Sequence, residues 1–91
     1  MVKVTIILSN VLAAEVGSRK IEVEASTLKE AIDALTSGRT SLREKILDSS
    51  GLPREYVNVY VDGKDYRFLN KLETPLKEGS SISIMPAVSG G

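Results

Sequence analysis

The chain has 91 residues, no cysteine and no histidine, and its twelve basic residues balance twelve acidic ones to a formal net charge of +0. A chain of this length buries one modest core, so a single domain is expected. The composition excludes a disulfide framework, a thiolate nucleophile, a Cys/His zinc site and an imidazole base.

Even charge without like-charge runs also lacks the footprint of a nucleic-acid binder, so proteins or small molecules are the expected partners. The remaining side-chain catalysts would be carboxylates, lysines, tyrosines or hydroxyls. These need a concave pocket that so small a domain seldom provides, and no enzyme acting alone is expected. Lys3, the apolar run after it and Ala13-Ala14 loosely imitate a secretory signal. Ser9 and Asn10 interrupt that run, and no segment is long enough to span a bilayer, so no membrane partner and a cytoplasmic setting are expected.

In chain order, Val2, Val4, Ile6 and Leu8 alternate with Lys3, Thr5 and Ile7, the period-two pattern of a partly buried strand. Ile21 and Val23 repeat it between Lys20, Glu22 and Glu24, and Asn10 to Ser18 reads as a long hairpin connection. Thr27 followed by Glu30 forms a capping box, and Leu28, Ala31, Ile32 and Leu35 share a face of the helix it opens. Gly38 suits a left-handed stop, so this helix is expected from Leu28 to Ser37. Ser41 and Glu44 repeat the capping spacing ahead of Leu42, Ile46 and Leu47, predicting a shorter helix that ends near Ser49-Ser50-Gly51.

Pro53 supports a loop. Val57, Val59 and Val61 alternate with Asn58 and Tyr60, and Asp62-Gly63 predicts a tight turn into a strand over Tyr66 to Leu69. Glu78-Gly79 turns the chain into a last strand over Ser81 to Met85, with Ile82 and Ile84 inward, Ser83 and Met85 outward, and Pro86 closing the regular pairing. Helices segregated from a mixed sheet imply an α+β domain.

After Pro86 come Ala87-Val88-Ser89-Gly90-Gly91, small residues expected to be mobile. Four extended residues from Val88 would reach about 13 Å, enough to enter a partner's active site. Glycines at the tip remove every Cβ, so a narrow channel could admit the backbone.

The chain resembles the ubiquitin-like sulfur carriers of the MoaD/ThiS group over nearly its whole length. The resemblance is carried by Val57-Asn58-Val59-Tyr60-Val61-Asp62-Gly63, by Arg67-Phe68-Leu69, by Leu72-Glu73-Thr74-Pro75-Leu76-Lys77-Glu78-Gly79 and above all by Ile82-Ser83-Ile84-Met85-Pro86-Ala87-Val88-Ser89-Gly90-Gly91. It implies a β-grasp domain over residues 1–86, a mixed sheet covered by one main helix and a short second one, with a flexible diglycine tail at 87–91. It implies further that an E1-like activating enzyme spends ATP to adenylate Gly91. Sulfur then replaces the adenylate to leave a thiocarboxylate, which a sulfur-acceptor enzyme or synthase large subunit consumes.

In that scheme Gly91 carries the reacting carbonyl, and Gly90, Ser89 and Val88 are the tail contacts beside it. No side chain is catalytic, and neither a cofactor nor a metal is held. Pro86-Ala87-Val88 stands where molybdopterin-synthase small subunits often have two prolines. With the Arg67-Phe68-Leu69 region, this leans the resemblance toward carriers for cysteine biosynthesis, with the molybdenum-cofactor branch left open. A ubiquitin-like modifier joined through Gly91 to lysines of other proteins would need the same adenylation. A β-grasp interaction module with an inert tail is a third class.

If the inward valines and isoleucines face the helix, Ile7, Tyr60 and Met85 emerge on the opposite face of the sheet. Aromatics and methionine favour interface cores, so these three are the candidate docking surface. Asp62 with Asp65 reads as a turn rather than a metal site.

Overall fold

The computed structural model describes residues 1–86. Strands β1 (Val2–Leu8) and β2 (Lys20–Ala25) precede helices α2 (Leu28–Thr36) and α3 (Thr40–Ile46), with a short helix α1 (Asn10–Ala13) between the two strands. Strands β3 (Val57–Val61), β4 (Lys64–Asp65) and β5 (Ser81–Pro86) follow. The five strands form one sheet in the order β2-β1-β5-β3-β4. Only β1 and β5 run parallel, with Ile6 opposite Ile82 and Leu8 opposite Ile84; the other pairs are antiparallel. This is the mixed α+β sheet the sequence implied, in the β-grasp arrangement.

Period-two patterning makes one face of that sheet apolar. Val4, Ile6, Leu8, Val59, Ile82 and Ile84 are fully shielded from water and meet Leu28, Ala31, Ile32 and Leu35 of α2 in a single core. Thr27 caps α2 as expected, its Oγ1 accepting from the Glu30 amide at 3.3 Å. The Glu30 carboxylate reaches one residue further back than the usual box, accepting from the Ser26 amide at 2.7 Å. Gly38 adopts φ 72°, the left-handed conformation predicted for it.

Three local expectations are corrected. Asn10 to Ser18 is not all loop, because Ser9 accepts from the Leu12 amide and opens α1, which buries Leu12 and Ala13. The second helix begins after Arg39 without a side-chain cap and ends at Ile46. Ser41 lies inside its first turn rather than at its cap. The strand expected over Tyr66 to Leu69 is replaced by β4 and a 3₁₀ turn over Tyr66–Phe68, because Asp65 accepts from the Arg67 amide and redirects the chain. The Asp62-Gly63 turn itself stands, with φ 51° and 84° as a two-residue hairpin of the I′ type requires.

Candidate functional site

The site is built around β5, the strand that carries the chain toward Gly91. Ile82 and Ile84 bury on the helix side, so Ser81, Ser83 and Met85 are left facing outward. Gly91, Gly90, Ser89 and Val88, for which the family resemblance implies adenylation and tail recognition, lie outside the described residues. What the structure describes is the strand that delivers them and the surface around it.

Strand register brings Ile7, Tyr60 and Met85 onto one face. Ser83 sits between Ile7 on β1 and Tyr60 on β3, and Met85 lies two residues further along β5, opposite Asn58. Ile7 and Tyr60 are half-buried, while Met85 is 40% exposed.

Charge flanks this row on both sides. Lys20 pairs with Ile7 at one end, and Asp65 pairs with Tyr60 at the other. Arg67 locks Asp65 through a guanidinium contact of 2.7 Å, and its hydrogen bonds hold the carboxyl below the ordinary carboxylate range. Next to them, burial pushes the Tyr66 phenol up, so Tyr66 stays a neutral hydroxyl at neutral pH.

Asp62 does not pair with Asp65 in a metal-like cluster. Its carboxylate accepts from the Ser80 hydroxyl at 3.1 Å and the Ser81 amide at 2.9 Å, tying the β3–β4 turn to the start of β5. Among the described residues no group of His, Cys, Asp and Glu is placed to hold a metal ion. Nor is any helix there long and apolar enough to cross a membrane. A surface hollow of about 470 Å³ is lined by Val61, Lys64, Phe68, Pro75 and Lys77 among others. It lies at the Asp62 end of the sheet, away from Pro86.

Sequence reasoning passed over two apolar side chains near the end of β5. Val11 is 62% exposed on α1, and Tyr56, just before β3, is 55% exposed. A four-residue helix leaves too short a trace for periodicity to detect. Tyr56 stands outside the alternating run, so pattern alone did not mark either residue.

Sheet order, covering helix and an outgoing C-terminal strand define the class as a ubiquitin-like β-grasp protein. The chain belongs to the ThiS family, whose model matches residues 6–91. The sulfur carrier protein CysO of Mycobacterium tuberculosis is 33% identical over 91 residues, spanning 97% of this chain and 98% of that protein. Among solved structures, the small archaeal modifier protein 1 of Methanosarcina acetivorans superposes with a TM-score of 0.90 at 26% identity, covering 100% of this chain and 98% of that one. A chain of the Amycolatopsis orientalis BexX/CysO complex superposes with a TM-score of 0.87 at 30% identity, covering 97% and 99%.

Proposed function

We propose that this protein is a ubiquitin-like sulfur carrier, a co-substrate rather than a catalyst, whose reacting group is the Gly91 carboxylate. The observation that carries the reading is a diglycine at positions 90 and 91, a few residues after the last strand of this fold, in a chain similar to CysO over 97% of its length. Lack of cysteine agrees with it, because sulfur borne on the main chain needs no side-chain thiol.

A free α-carboxylate is ionised at neutral pH and is a poor electrophile. An E1-like activating enzyme would let a Gly91 carboxylate oxygen attack the α-phosphorus of ATP, releasing pyrophosphate and leaving an acyl-adenylate. A donor that delivers sulfur as hydrosulfide then adds it to the Gly91 carbonyl and expels AMP, which leaves the thiocarboxylate. Gly90, without a Cβ, lets the tail thread the partner's channel, and Ser89 and Val88 are extended contacts beside it. Under this reading the protein works in the cytoplasm, with ATP supplied to the partner and no cofactor held by the chain. The likeness to CysO favours an acceptor in cysteine biosynthesis over one in molybdopterin synthesis.

The outward face with Ile7, Tyr60 and Met85 is the proposed docking surface for the activating or acceptor enzyme. Unchanged activation kinetics in a stably folded Tyr60→Asp variant would remove it. Protein modification through Gly91 is a second reading, favoured by the close superposition on an archaeal modifier protein.

Intact-mass measurement after incubation with the host's activating enzyme, ATP and a sulfur donor separates the two. Exchange of one oxygen for sulfur is expected for the carrier. Diglycine remnants on lysines of other proteins, without that exchange, would turn the assignment to the modifier. One residue added after Gly91 should abolish both products, and undiminished product would end the tail reading.

A further inference from the structure

Five residues follow Pro86, and fully extended they span about 17 Å. A catalyst that closes on the Gly91 carboxyl therefore has the mouth of its active site within that distance of Pro86. The end of the sheet where β5 stops lies in contact range of that enzyme, whichever other surface also binds it.

That end has an unusual composition. The Ser9 amide donates to the Ile84 carbonyl at 3.3 Å, so α1 starts level with the last residues of β5. Val57 pairs with Pro86, which sets Tyr56 just past the other side of the strand. Val11, Tyr56 and Met85, three of the six exposed large hydrophobics among the described residues, are thus gathered where the chain leaves the sheet. The core does not require them there, since α1 packs inward through Leu12 and Ala13. Grouped exposed apolar side chains mark interaction sites more often than scattered ones do.

Charge is divided across the same end. The Leu8 amide donates to the Arg19 carbonyl at 2.8 Å and Lys20 pairs with Ile7, so two exposed cations flank the group on the β2 side. Neither is in an ion pair among the described residues. Glu55 is exposed beside Tyr56 on the opposite flank.

We infer that Val11, Tyr56 and Met85 form a collar at the base of the tail that seats on the rim of the activating enzyme's active-site mouth. The fitting rim is apolar, with acidic residues on the side facing Arg19 and Lys20. The inference rests on the sulfur-carrier reading, because it needs a catalyst that acts on Gly91. It extends that reading beyond the outward sheet face, to which Met85 also belongs.

ATP–pyrophosphate exchange tests it, using the full chain at a range of concentrations and the host enzyme whose exchange requires a free Gly91 carboxyl. Tyr56→Asp and Val11→Asp should each raise KM about tenfold, as loss of an interface anchor does. Saturating kcat should stay within about twofold, as expected when uniform binding is removed. Arg19→Glu with Lys20→Glu should lower kcat/KM and flatten its dependence on salt.

Unchanged KM in both aspartate variants, with thermal midpoints like the parent's, overturns the collar. Tyr56→Ser and Val11→Ser replace them should an aspartate variant melt early, with the same criterion. If extending Gly91 by one residue silences exchange while the collar variants behave as the parent, only the collar fails. If the extended chain exchanges fully, the carrier reading fails as well.

Discussion

The start of β5 is tied to its surroundings by polar contacts, whereas its end stands among apolar side chains left in water. At the start, Ser80 accepts from the Lys77 amide and donates to Asp62, whose second oxygen takes the Ser81 amide. Beside it the Gly79 amide donates to the Lys3 carbonyl, and the Lys3 amide donates to Glu78. At the end, pairing to Ser9 and Val57 gives way to exposed Val11, Tyr56 and Met85. One strand thus separates two requirements. Its start and middle hold the fold, which frees its end to present surface and deliver the tail.

That contrast can be broken by substitution. Ile84 is fully buried in the middle of the strand, so Ile84→Ala should cost about 2–5 kcal/mol in chemical denaturation. A loss below about 1 kcal/mol would mean that the core does not hold this strand. Asp62→Ala removes the clamp at the start and should cost about 1–2 kcal/mol, with the KM for activation unchanged. A raised KM there would erase the division between the two ends.

The smallest effect expected is on acid stability. Hydrogen bonds from Lys45, Lys29 and Arg67 hold the carboxyls of Glu15, Asp33 and Asp65, respectively, below their ordinary values. Folding then favours the deprotonated forms. Their contribution is complete above the unfolded pKa values of about 4 and is lost as pH falls through the lower folded values. The melting temperature should drop in that acid window, and the drop should be shallower in a variant carrying Glu15→Gln, Asp33→Asn and Asp65→Asn. An equal drop would assign acid lability to other groups.

Much of this was legible from local patterns. Alternation placed Val4, Ile6, Val59, Ile82 and Ile84 inward, because side-chain direction in a strand is set by its own pleat. Thr27 and Asp62-Gly63 were readable because a cap and a tight turn involve neighbours in sequence. Ser41 misled because its spacing imitates a cap, while the helix already begins one residue earlier, at Thr40, without a side-chain cap. Tyr66 to Leu69 misled because the Asp65–Arg67 contact overrides the β tendency of that segment.

The terminal diglycine, the absence of cysteine and histidine and the inward face of each strand were determined by the sequence alone, since each is a property of residue type or local spacing. Only the tertiary structure decided that β5 lies between β1 and β3, bringing Ile7, Tyr60 and Met85 onto one face and Val11 and Tyr56 to the root of the tail. Alternation specifies which way a side chain points but carries no label for the neighbouring strand. That choice comes from packing the sheet against α2, where residues far apart in the chain meet.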